Sequence, residues 1–67
     1  MTGQEFKRLV AIYGTQVSVA RAMGVQTDTI RARYNEELVP LLYEQAIIGV
    51  VLRDKLAQII AIAELIG

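Results

Sequence analysis

The sequence predicts an all-α domain, a compact unit of four to five short helices, on three observations. No stretch alternates apolar and polar residues with the period of two that a half-buried strand needs. Apolar residues instead recur three and four apart, which places them on one face of a helix. Each such run is bounded by a capping residue, a glycine or the single proline, Pro40. At 67 residues the chain reads as one domain over 1–67, near the lower limit at which one core holds a fold without metal, disulfide or partner.

Thr2-Gly3-Gln4-Glu5 has the form of a capping box, in which a hydroxyl and a carboxylate each satisfy an orphan amide, so the first helix starts here. Phe6, Leu9, Val10 and Tyr13 give it one apolar stripe, and Gly14 is expected to end it in the left-handed conformation. Thr15 caps a second helix from Gln16 to Met23, with Val19, Ala20 and Met23 inward and Gly24 as its stop. A third helix begins at Gln26 or Thr27 and runs to about Tyr34, with Ile30 and Tyr34 on its buried side. Asn35-Glu36-Glu37 reads as a polar loop, and Pro40 suits the first turn of a fourth helix. Beyond it, Gly49 and Arg53-Asp54-Lys55 offer breaks, so two helices meeting near residue 53 are preferred to one long bent helix.

Composition excludes several functions. With no Cys and no His, the chain lacks disulfides, thiol nucleophiles, zinc ligands and the usual neutral-pH general base. Glu36 and Glu37 are adjacent and point apart, and there is no glycine loop for phosphates, so neither an enzyme nor a bound cofactor or small-molecule ligand is expected. The N-terminus lacks the residue order of a secretory signal, which points to the cytoplasm. Between Leu38 and Leu52 the most apolar run is interrupted by Pro40, Glu44 and Gln45, too short and too polar to span a bilayer. The tail also lacks the basic polar face of a membrane-surface helix, so no membrane partner is expected.

Charge and hydropathy are distributed unevenly. Through Asn35 there are five basic residues (Lys7, Arg8, Arg21, Arg31, Arg33) against two acidic ones (Glu5, Asp28); after it, two basic residues face five acidic ones. The balance is therefore +3 in one part and −3 in the other, and the basic part is the candidate for phosphate contact. Residues 1–37 hold 16 apolar residues, whereas residues 38–67 hold 20 in 30. A domain this small cannot cover so much apolar surface, so residues 39–67 are expected to make a homodimer through Leu52, Leu56, Ile59, Ile60, Ala63 and Ile66.

The segment Gln16–Asn35 carries the most specific pattern. Ala20 is small where two helices cross, Gly24 permits the positive φ of a tight turn, and Val19, Met23, Val25 and Ile30 are apolar where such a unit is buried. With its Thr29-Ile30 pair, the segment resembles the helix-turn-helix of the lambda-repressor-like, Cro-type DNA-binding family, and the likeness extends over about residues 2–52. Gln26 and Arg33 depart from the family pattern, which has a small capping residue and an apolar residue at those places; Tyr34 then fills the core position in place of Arg33.

The resemblance implies that residues 2–38 form a helix-turn-helix core whose third helix enters the major groove of double-stranded DNA. It sets Gln26, Thr27, Asp28, Arg31 and Ala32 against base edges, with Arg31 suited to guanine, Asp28 to a cytosine amine, and Ala32 or the Thr27 methyl to thymine. Thr15, Gln16, Arg33 and Asn35 become phosphate contacts. The expected function is that of a transcription regulator, most simply a repressor like those of phages and mobile elements, binding a pseudo-palindromic operator as a homodimer. The competing expectation is a protein-interaction or assembly module that keeps the fold without DNA readout.

Overall fold

Four α-helices and no strand make up the computed structural model, which describes all residues, Met1–Gly67. They are α1 (Gly3–Tyr13), α2 (Gln16–Met23), α3 (Thr27–Ala32) and α4 (Leu41–Ile66), with a single 3₁₀ turn, Arg33–Asn35, directly after α3.

The N-terminal cap forms as its residue types dictate. The Thr2 hydroxyl accepts from the Glu5 amide at 3.2 Å, and Glu5 Oε1 accepts from the Thr2 amide at 2.9 Å. That backbone amide, and then the Thr2 side chain, hold the Glu5 carboxyl below its ordinary value. Because the folded value is lowered, the contribution of Glu5 is fully present above the ordinary carboxylate range. It is lost as pH falls through the folded value. Thr2→Ala is expected to cost about 1 kcal/mol in a urea titration. It should let the Glu5 carboxyl, followed by NMR, climb only part of the way back, since the backbone donor stays.

Three terminations differ from the sequence expectation. Gly14 has φ 161° and ψ −112°, extended rather than left-handed, because the chain passes straight into the next cap at Thr15. The α-helical part of the third helix stops at Ala32, and Arg33, Tyr34 and Asn35 tighten into the 3₁₀ turn. Pro40 sits just before α4 as its cap, where its carbonyl accepts from the amides of Tyr43 and Glu44.

The larger correction concerns residues 41–66, which form one helix of 26 residues instead of two. Neither expected break is strong enough to end it. A glycine inside a helix costs only about 1 kcal/mol, and arginine and lysine are good helix formers. Gln58 Nε2 donates to Asp54 Oδ2 at 2.9 Å, bracing the helix beside the charged cluster.

Eight side chains make the core: Phe6 and Val10 of α1, Val19 and Ala20 of α2, Ile30 of α3, Val39, and Ile47 and Val51 of α4. Each helix supplies one large, fully enclosed member: Phe6, Val19, Ile30 and Ile47. Tyr34, expected in the core, is only half-buried and tilts against Phe6 with ring centroids 6.2 Å apart. The first three residues tie this core to the segment between α3 and α4. The Gly3 amide donates to the Glu36 carbonyl at 2.8 Å, the Val39 amide donates to the Met1 carbonyl at 2.9 Å, and the Met1 ammonium pairs with Glu44 on α4.

The expected compactness holds only for the part of the molecule around this core. The whole measures 44 × 20 × 17 Å, and its radius of gyration is 13.1 Å where about 11 Å suits a compact chain of this length. The excess is α4, whose first half lies on α1 and α2 while every residue from Leu56 onward is exposed. No helix is long and apolar enough to cross a membrane.

Candidate nucleic-acid interface

The exposed face shared by α2 and α3 is positioned by two local devices. At the start of α2, the Thr15 hydroxyl accepts from the Ser18 amide at 3.1 Å and the Ser18 hydroxyl accepts from the Thr15 amide at 2.9 Å, a reciprocal cap. At its end Gly24 is left-handed, with φ 72° and ψ 31°. Its amide and that of Val25 turn back to the Ala20 and Arg21 carbonyls, which closes the turn before α3. Buried Val19, Ala20 and Ile30 then hold α3 against α2.

This packing brings Gln16, Asp28 and Arg31 together, although they come from two helices. Arg31 Nε donates to Gln16 Oε1 at 3.4 Å, and Arg31 Nη1 stands 4.0 Å from Asp28 Oδ1. The Arg31 and Asp28 side chains are 64% and 89% exposed, so the ion pair is weak and the guanidinium stays open to solvent. Gln26 and Ala32 are exposed and Thr27 is half-buried. Gln26 precedes α3 without a side-chain cap, which makes Thr27 the first helical residue. Burial pushes the Tyr34 phenol above its ordinary value, against the opposing influence of nearby Gln16 and Arg31.

Two residues expected at phosphates have other surroundings. Arg33 is only 22% exposed; its Nη1 lies 3.1 Å from Glu36 Oε1, and its guanidinium sits 5.0 Å from the Tyr43 ring centroid. Its charge is thus compensated inside the fold. Asn35 is exposed but borders an open hollow with Thr2, Gln4, Glu36 and Glu37, where the nearby charge is negative. Thr15 is exposed, with its hydroxyl engaged in the cap.

Three contacts went unread in the sequence. The Gln16–Arg31 bond spans 15 residues and has no local signature. Lys7 lies 5.8 Å from the Tyr34 ring centroid, which joins α1 to the turn after α3. Ser18, three residues after Thr15, completes the second cap and was the one recoverable from spacing. No group of acidic side chains is placed to hold a metal ion. Comparison with protein-family models, with curated proteins and with solved structures found no match to this chain.

Proposed function

We propose that the protein is a sequence-specific, double-stranded DNA-binding regulator of transcription, a repressor in its simplest form, whose α2-turn-α3 unit works as a helix-turn-helix. The observation that carries this reading is the cluster of Gln16, Asp28 and Arg31 on one exposed face, built by two short helices around a left-handed glycine. Arg31 is the principal base reader. With its Nε held by Gln16, its terminal nitrogens remain for the O6 and N7 of guanine. Gln26, Thr27, Asp28 and Ala32 complete the base-facing set, and Thr15 and Gln16 approach the backbone. Arg33 steadies the fold through Glu36 and Tyr43 instead of neutralising a phosphate.

Selection of bound duplexes from a random pool tests the reading. A pseudo-palindromic consensus is expected, with affinity that falls linearly in a log–log plot against salt. Arg31→Ala is expected to weaken the selected duplex about 10- to 100-fold, the worth of one bidentate base contact. Equal affinity for selected and random duplexes would defeat sequence-specific readout. No retardation in a gel at micromolar protein and low salt would favour the protein-interaction reading, which the net charge of zero supports.

A further inference from the structure

Leu56, Ile59, Ile60, Ile62, Leu65 and Ile66 stand in solvent on the distal half of α4. The accessible surface of the chain, 4774 Å², exceeds by several hundred Å² the roughly 4200 Å² of a compact monomer of this mass. Apolar surface on this scale calls for a covering partner.

The face on which a partner fits is defined by the face already used. Tyr43, Ile47 and Val51 pack α4 onto the rest of the domain. At about 100° per residue, Gly49, Leu52, Leu56, Ile59 and Ala63 lie on the opposite side, spaced alternately three and four apart. All five are exposed, and beyond its own chain neighbours and turns of helix backbone no atom lies within 4 Å of where a Gly49 side chain would begin. A second helix can therefore run along this stripe without meeting the domain.

We propose that this stripe is covered by the same stripe of a second copy of the chain, running antiparallel, with Leu56 opposite the partner's Ile59. In this register Leu52 meets the partner's Ala63 and Gly49 meets the partner's Ile66, so a large side chain faces a small one at every uneven layer. A parallel pair would instead stack Gly49 on glycine and Ala63 on alanine, and leave gaps. Charge selects the same register. Arg53 falls between the partner's Ile60 and the partner's Glu64 on one flank, while on the other the Lys55 stem lies beside the partner's Ile62. Sliding the pair by one heptad toward the domains would set Arg53 against arginine and Lys55 against lysine, a like-charge cost.

Ile47, the anchor of α4 on each domain, is offset from its counterpart by about 21 residues along the paired helices, or ~31 Å. Because each domain docks on the face of α4 opposite the stripe, the two domains lie on opposite outer sides of the pair. This inference rests on the homodimer that the pseudo-palindromic site expected above implies, and not on base readout.

The chain has no cysteine, so introduced thiols report the pairing alone. Leu52→Cys and Ala63→Cys copies, mixed under mild oxidation without DNA, are expected to give predominantly the disulfide between the two different variants. Predominant self-disulfides within each variant would mean a parallel pair and overturn the proposal. Sedimentation equilibrium of the unaltered chain should give twice the 7.4 kDa chain mass, and Leu56→Glu, at an exposed position, should restore the single mass with its helical circular dichroism intact. A single-chain mass for the unaltered protein overturns the pairing whatever the duplex selection shows, and a dimer that selects no duplex leaves it standing.

Discussion

Gly3→Ala is expected to destabilise the domain by about 3 kcal/mol, the upper range for forcing atoms into a packed interior. Gly3 is buried in the first turn of α1, and a Cβ there would stand 2.3 Å from the Tyr34 carbonyl oxygen and 2.6 Å from that of Arg33. Both obstacles are backbone, so no rotamer change relieves them. The approach cannot simply widen, because the Gly3 amide is bonded to the Glu36 carbonyl and Gln4 Nε2 to the Tyr34 carbonyl. A domain of this length has roughly 3–10 kcal/mol in total, so the variant keeps about 0–7 kcal/mol and is partly unfolded at room temperature at the low end of that range. A urea titration followed by circular dichroism measures it. A midpoint equal to that of the unaltered chain would mean that α1 is not held against the 3₁₀ turn. Since that turn follows α3 directly, the fraction that stays folded should also lose affinity for any duplex read by Arg31.

The same residue marks the boundary of what the sequence made legible. Thr2 and Glu5 announced the start of α1 because a capping box is closed within four residues. Gly24 announced the turn because its strain is its own, with φ 72° and nothing crowding the position. The core could likewise be read from helical spacing: Phe6, Val10, Val19, Ala20 and Ile30 are all buried. Gly3 lay inside the recognised cap, yet its necessity comes from a carbonyl more than thirty residues away. The surroundings of Arg33, expected at a phosphate, were hidden for a related reason. Taken alone it is a free cation near a basic helix, and only folding brings Tyr43 of α4 over it. The continuity of α4 was obscured by the opposite circumstance. Gly49 and the charged cluster weaken a helix slightly, and no competing tertiary contact exploits the weakness. For the candidate site, residue types were readable and their grouping was not: Gln16 and Arg31 were both singled out, for a phosphate and a base, and their mutual bond emerged from how α3 packs on α2.

Ile47→Ala should cost about 3–4 kcal/mol, within the range for truncating a fully buried isoleucine. Ile47 has no exposed surface and is the only side chain of α4 that is completely enclosed; Val51 beside it keeps some contact with solvent. The other apolar ties of α4 to the domain, Tyr43 and Val51, are less completely enclosed, and its polar tie is Glu44 to the Met1 ammonium. Truncation therefore removes the main apolar anchor of a helix that is exposed throughout its length from Leu56 onward. Ile48→Ala provides the comparison, because the same atoms leave a neighbouring position that is 40% exposed and turned by about 100°. Its cost should stay below ~1 kcal/mol when both variants are melted at a concentration low enough to keep chains separate. Raising the concentration should then lift the melting temperature of the Ile47 variant, because association favours the folded chain by mass action. Equal losses for the two variants in dilute solution would show that α4 docks through a different face, and the stripe through Leu52, Leu56 and Ile59 would no longer be the one left free for a partner.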